Sequence, residues 1–312
     1  MPAPGAVLRY AAFAVNEGGG NPAGVVLDAR GLDADAMLAI AADVGYSETA
    51  FVVPGANGEA DIRYFSPQAE VPFCGHATIA TGVAWAERHG MGRLTLRTMS
   101  GPVELEMHTE EGRPVATLTS VPPHVHPADE ADVVEALSAL RWDRSELDPA
   151  LPPRVAFAGA HHLILAAGSR ERLGVLDYDF PRLRELMEAR NWTTIQLVFR
   201  ASVSLYHARD PFPPGGVVED PATGAAAAAL GAYLRELNLV HPPIRIAIQQ
   251  GSDMGRPSVL HVEIPEGEGT GIRVIGTAVR IDHVADAASM CVMSDGTSHE
   301  DHHRGVVPRS AI

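Results

Sequence analysis

The chain has 312 residues, and its 24 basic side chains, all arginine, stand against 39 acidic ones for a formal net charge of −15. The absence of lysine excludes a Walker-A phosphate loop and any Schiff-base chemistry, covalent pyridoxal phosphate included. The carboxylate surplus repels phosphate backbones and anionic lipid, so a small molecule is the expected partner, with no nucleic acid and no membrane. A hydrophobic content of 46% suffices for one large domain or two ordinary ones. Two distant cysteines, Cys74 and Cys291, argue against a disulfide framework. With no apolar run of spanning length and no basic-then-apolar leader, the expected location is cytoplasmic.

In chain order, strands are predicted at Val7 to Phe13 and Val25 to Leu27 around the turn-rich EGGGNPAG. Apolar residues at helical spacing predict a helix from Asp33 to Val44, stopped by Gly45. That helix delivers Ser47 and Glu48 to the next strand. A strand at Ile62 to Phe65 and the turn SPQAEVPFCG precede a helix from about His76 to Arg88. Strands follow near Leu94, Val103 and Val115. A boundary is expected near residue 124, after VPPHVHP. Beyond it come a helix at Ala131 to Leu140, strands near Val155 and Leu163, a helix at Phe180 to Ala189, and strands at Thr194 to Phe199 and Ser202 to His207. The segment ARDPFPPGGVVEDPATG reads as a loop before an Ala-rich helix ending at Leu237, and strands near Ile244, Val259 and Val274 complete the count.

Two segments share a shape. FSPQAEVPFCGHATIATGVAWA and FPPGGVVEDPATGAAAAALGAYL each run from an aromatic and a proline through a loop into a Gly/Thr/Ala helix start, and Cys74 and Asp220 are 146 residues apart. An internal duplication would give two similar α+β lobes, each pointing a helix N-terminus at a cleft. Free N–H groups and the helix dipole there favour an anion.

Glu48 stands where a helix turns into an apolar strand, so burial could raise its pKa into the range of a base, against the plainer reading of a solvated turn acid. His76, at a helix start, reads as a donor to a substrate oxygen or as a structural histidine. Asp220 precedes Pro221 as the expected cap of the Ala-rich helix and as a second acid/base or orienting group. Cys74 reads either as a thiolate at a helix N-terminus or as a small buried residue. A two-thiol mechanism needs a second cysteine opposite, and Cys291 is outside the matching loop. His161 and His162 alternate faces of a strand, and His299, His302 and His303 belong to a polar tail, so no metal is expected. No strand–GxGxxG–helix unit is present, so no dinucleotide cofactor is expected.

NPAGVVLD, SETAFV, RYFSPQAEVPFCGHAT, EDPATGAAA and QGSDMGRPS, in this order over roughly residues 7 to 280, resemble the phenazine-biosynthesis PhzF-like isomerases, relatives of diaminopimelate epimerase and proline racemase. The resemblance implies an α+β fold of two similar lobes, each a mixed sheet or barrel around a central helix. The boundaries would be 1–123, completed by about 279–292, then 124–278, then a flexible tail at 293–312. It also implies a homodimer and an isomerase that needs no cofactor, moving a proton between carbons of a small carboxylate-bearing substrate such as trans-2,3-dihydro-3-hydroxyanthranilate. Glu48 matches the family's catalytic glutamate, with His76 and Asp220 as the other catalytic positions. Ser47, Gly75, Cys74, Thr223, Gly224 and Ala225 fall on substrate-binding positions. Ala225 departs from the pattern, since the family commonly has a serine there. Alternatives are an amino-acid epimerase or racemase, and a non-catalytic small-molecule binder on the same fold.

Overall fold

Short β-branched and aromatic runs broken by glycine, proline and asparagine favour strands over most of this chain. A computed structural model, which describes residues 5–282, is accordingly a mixed, sheet-dominated α+β fold. Cys291, the tail histidines, residues 283–292 and the tail from 293 lie outside the described residues. In the first half the elements are β1 (Leu8–Ala12), β2 (Asn21–Val26), α1 (Ala34–Val44), β3 (Glu48–Pro54), β4 (Glu59–Phe65), β5 (Glu70–Val71), α2 (Gly75–His89), β6 (Gly92–Thr98), β7 (Gly101–Glu110) and β8 (Arg113–Thr119). In the second they are β9 (His124–Pro127), α3 (Glu130–Leu140), β10 (Arg154–Phe157), β11 (His161–Ala166), α4 (Arg170–Gly174), α5 (Phe180–Arg190), β12 (Thr194–Arg200), β13 (Leu205–Phe212), β14 (Val217–Asp220), α6 (Gly224–Glu236), β15 (Ile244–Gln250), β16 (Ser258–Ile264), β17 (Arg273–Gly276) and β18 (Ala278–Arg280).

One pairing order occurs twice. β2 runs parallel to β3, β3 antiparallel to β4, β4 antiparallel to β5 and parallel to β6, and β6 antiparallel to β7. β11, β12, β13, β14, β15 and β16 repeat that series, each pair with the same sense as its counterpart. The counterparts β8 and β17 pair antiparallel with each other, and β18 pairs antiparallel with β1.

The two long Ala-rich helices explain where the main core lies. α2 is buried at every position from His76 to Ala84, and α6 from Ala226 to Leu234, as expected for a helix apolar on all faces. Glycine lets the sheet approach. A Cβ at Gly82 would sit 2.7 Å from Leu105 Cδ2 and 2.8 Å from Ala116 Cβ, while one at Gly231 would sit 2.8 Å from Ile272 Cγ2 and 3.0 Å from Val262 Cγ1. Both glycines stand at the same position of their helices.

Three expectations need correction. β2 begins at Asn21 rather than Val25, because Asn21 and Pro22 pair with Ala12 and Ala11 at its β1 edge. The expected loop after His207 is largely strand: β13 continues to Phe212, and β14 returns along it after a register shift between Pro211 and Phe212. Such a bulge accommodates prolines that would break a regular ladder. Asp220 ends β14 and does not cap α6, whose N-cap is Thr223.

Candidate functional site

The helix-to-strand corner is built by its own sequence. Asp33 accepts from the Ala36 N–H to start α1, and Gly45, in the left-handed region at φ 71°, ends it by donating to Ala41. Ser47 and Glu48 therefore emerge at the end of the sheet, with Glu48 the first residue of β3 and its side chain 14% exposed. Cys74 is the N-cap of α2, with Gly75 and His76 its first two residues.

These side chains converge. His76 Nε2 lies 3.4 Å from Glu48 Oε2 and 3.4 Å from Ser47 Oγ. Cys74 Sγ lies 3.5 Å from Glu48 Oε2 and 3.4 Å from His76 Nδ1. Burial, and after it the Glu48 charge, push the Cys74 thiol well above its ordinary value. Of the two readings of Cys74, this favours the small buried residue over the thiolate.

The second half contributes a facing set. Asp220 Oδ1 accepts from Asn21 Nδ2 at 2.8 Å, and Asp220 Oδ2 accepts from Thr223 Oγ1 at 2.5 Å. Gln250 Nε2 donates to the Asp220 carbonyl at 2.8 Å and to Thr223 Oγ1 at 3.1 Å, and Gln250 Oε1 accepts the Thr223 N–H at 3.2 Å. Burial pushes Asp220 up to about 6, against the opposing pull of His76 and of the Thr223 hydroxyl, with Glu48 adding to the rise. Behind it, Asp210 is its cross-strand partner, fully buried, with Oδ2 lacking a hydrogen-bond partner. Burial, then the Asp220 charge, raise Asp210 well above the carboxylate range.

The helix starts meet where the two sets face each other. A Cβ on Gly75 would lie 3.5 Å from Ala225 N and 3.5 Å from Gly224 Cα, and no side-chain oxygen caps either helix. Two N-termini thus face one spot, the arrangement that suits an anion. Beside it, a mainly apolar recess is lined by Phe73, Val103, Leu118, Gly224, Ala225 and Val274 among others.

All nine residues expected from the sequence thus belong to one neighbourhood. Asn21, Gln250 and Asp210 are additional members. Asn21 and Gln250 lie in the NPAG and QGSDMG motifs, so a signal existed without a role attached to it. Asp210 had none, because it fell in the segment read as loop. The polar side chains show what the strands deliver to this place: Glu48 and Thr194 open the counterpart strands β3 and β12, and Thr194 Oγ1 points to Asp210 at 3.4 Å while accepting or donating at 2.8 Å with His162 Nδ1.

The sequence profile of the phenazine biosynthesis-like proteins, PhzC-PhzF, matches residues 10–283. The chain belongs to this family. Relatives within reach agree. An uncharacterized isomerase of Bacillus subtilis is 31% identical over 284 residues, covering 88% of this chain and 95% of that protein. The trans-2,3-dihydro-3-hydroxyanthranilate isomerase of Pseudomonas chlororaphis is 33% identical over 243 residues, covering 77% and 84%. The crystal structure of a PhzF-family phenazine biosynthesis protein from Bacillus anthracis superposes with a TM-score of 0.79 at 26% identity, covering 88% of this chain and 96% of that one. The protein is an isomerase of the PhzF family. Among the described residues no helix is long and apolar enough to cross a membrane.

Proposed function

We propose that this PhzF-family protein moves a proton between two carbons of a small carboxylate-bearing substrate, without a cofactor, using Glu48 as the acid/base. The observation that carries this is the position of Glu48: a mostly buried carboxylate at a strand start, beside His76 and next to a paired helix N-terminus. The substrate carboxylate is held by the N–H groups at the starts of α2 and α6. Its apolar body occupies the recess beside Phe73 and Ala225. Glu48 Oε2 takes the proton as the donor C–H bond breaks, the electron pair shifts through the adjacent double bond, and the Glu48 carboxyl, exchanging with solvent while it holds the proton, protonates the far carbon. His76 and Ser47 orient the substrate's polar atoms, and Asp220, fixed by Asn21 and Thr223, presents the other wall.

Ala225 brings a methyl group where the family commonly places a hydroxyl. A substrate group bound by that hydroxyl would lose about 1.5–3 kcal/mol if charged, so the preferred substrate differs from that of the Pseudomonas chlororaphis relative. Racemisation between Glu48 and Cys74 is not favoured. It needs two bases on opposite faces of one carbon, whereas these two lie 3.5 Å apart and side by side.

The test is turnover of trans-2,3-dihydro-3-hydroxyanthranilate and related dihydro-hydroxy acids, followed by NMR. Glu48→Gln is expected to keep substrate binding and to lose about 10²–10⁴-fold in kcat. Unchanged turnover in that variant would sink the assignment. Ala225→Ser is expected to shift preference toward the Pseudomonas relative's substrate.

A further inference from the structure

The two halves match residue for residue around their central helices. Glu70, Pro72, Gly75 and Gly82 align without a gap with Glu219, Pro221, Gly224 and Gly231, and Arg63 grips Glu70 at two points as Arg209 grips Glu219. Ile79 of α2 therefore corresponds to Ala228 of α6. The strand ladders extend the match. Tyr10 faces Ala23 and Ala23 faces Glu48, while Ala156 faces His162 and His162 faces Thr194. Glu48 and Thr194 open counterpart strands, so Ala156 corresponds to Tyr10 and, three residues on, Gly159 corresponds to Phe13. Both have positive φ, 62° at Phe13 and 112° at Gly159. Gly82 meets Ala116 where Gly231 meets Ile272, so, four residues on, Ser120 corresponds to Gly276.

In the first half a phenyl ring fills the space between these groups. A Cβ on Gly276 would sit 2.4 Å from Phe13 Cδ1 and 3.2 Å from Ile79 Cγ2, and one on Gly224 would sit 3.6 Å from Phe13 Cζ. In the second half the corresponding residues Gly159, Ser120 and Ala228 line the apolar recess beside the start of α6. Glycine stands for phenylalanine and alanine for isoleucine, so the second half holds open the space that a ring occupies in the first. Charge narrows the occupant further. No residue lining the recess is charged, and of its three hydroxyl-bearing residues Ser100 and Ser120 donate to the Pro72 and Val121 carbonyls. An ion would lie there unpaired, whereas an apolar ring needs no partner. Gly224 and Ala225 line the recess and also begin α6, which places the ring next to the anion position.

We propose that this recess is the subsite for a six-membered ring attached to the substrate's carboxylate, and that Gly159 and Ala228 set its size. The substrate class is an aryl- or cyclohexadienyl-type carboxylic acid with no charge on the ring edge away from the carboxylate. That such a ligand is turned over rests on the proton transfer proposed above; that its ring is bound here does not.

The experiment uses the full chain with carbon-13-labelled alanine methyl groups, titrated with acetate, benzoate, benzyl alcohol and 4-(aminomethyl)benzoate and followed by NMR. Benzoate is expected to bind at least about tenfold tighter than acetate and to shift the Ala225 and Ala228 methyl signals. Benzyl alcohol shifts the same signals, and 4-(aminomethyl)benzoate, with its ammonium at the far edge, binds no better than acetate. Ala228→Ile gives α6 the residue that α2 carries there, and Ala228→Leu fills the recess with a stronger helix former. Each brings benzoate down to the level of acetate, with circular dichroism unchanged. Benzoate that binds no tighter than acetate and leaves the Ala228 methyl unmoved, or that binds the folded Ala228 variants as tightly as wild type, overturns the proposal. Equal affinity for benzoate and benzyl alcohol at these methyls supports the ring subsite and removes the carboxylate site instead, so the two failures are told apart. Turnover does not enter, and the role of Glu48 is tested separately.

Discussion

Asp220 accepts hydrogen bonds on both carboxylate oxygens, from Asn21 and Thr223, which is the pattern of an ionised group. Burial nevertheless raises it to about 6. Two outcomes follow at the level of this residue. Substrate binding that depends on ionised Asp220 weakens on acidification through about pH 6, and kcat/KM shows an acid limb there that Asp220→Asn removes. For stability, the folded value lies above the unfolded one, so the stabilisation held below about pH 4 is lost as pH rises through about 6. At about 1.4 kcal/mol per pH unit between the two values, the loss is about 3 kcal/mol. Urea denaturation from pH 4 to pH 7 measures it, and the fall is reduced in Asp220→Asn. Asp210 is a different case. Burial, then the Asp220 charge, raise its pKa and favour the neutral form, which the amide of Asp210→Asn mimics. The expected change in stability at pH 7 is within about 1 kcal/mol. A gain of several kcal/mol would mean that Asp210 is ionised in the native protein.

At the level of the elements, α2 and α6 depend on glycine where each crosses its sheet. Gly82→Ala gains roughly 1 kcal/mol of helix propensity but drives a methyl to 2.8 Å from Ala116 Cβ, which is fixed to β8. Overpacking of this kind costs about 1–3 kcal/mol, so a net destabilisation is expected, read as a lower urea midpoint. Gly231→Ala meets the β-branched side chains of Ile272 and Val262 and should behave alike. The elements also show what the sequence made legible. The α1 boundaries, Asp33 and Gly45, were readable because capping is local chemistry. β14 was not, because the prolines and glycines from Pro211 to Gly216 signal a turn, while the strand that follows exists only through its pairing with β13. Asp220 was misplaced as a helix cap for the same reason: Glu219-Asp220-Pro221 looks like a helix start until β13 is beside it. Glu48, His76 and Cys74 were legible as a set through motif order. Their mutual distances were not, since they depend on how β3 and the start of α2, separate in sequence, pack together.

Across the whole molecule, the doubled pairing order and the matched glycines support the reading of two similar halves joined through β8 and β17. The halves are alike in frame and unlike in chemistry: the first supplies Glu48, Cys74 and His76, the second Asp220 and an apolar Ala225. Such asymmetry suits a reaction that carries a proton from one carbon to another with one principal base. In the proposed reaction, a chain without lysine offers no lysine Schiff base to stabilise a carbanion, and the helix N-termini and the substrate's own conjugation take that part. The most direct measurement is turnover in D2O of a dihydro-hydroxy acid accepted by the enzyme, with NMR locating the label in the product. The account predicts deuterium at the newly protonated carbon with wild-type protein and a loss of about 10²–10⁴-fold in its appearance with Glu48→Gln. Label confined to the original carbon, or label arriving at an undiminished rate in Glu48→Gln, would contradict it.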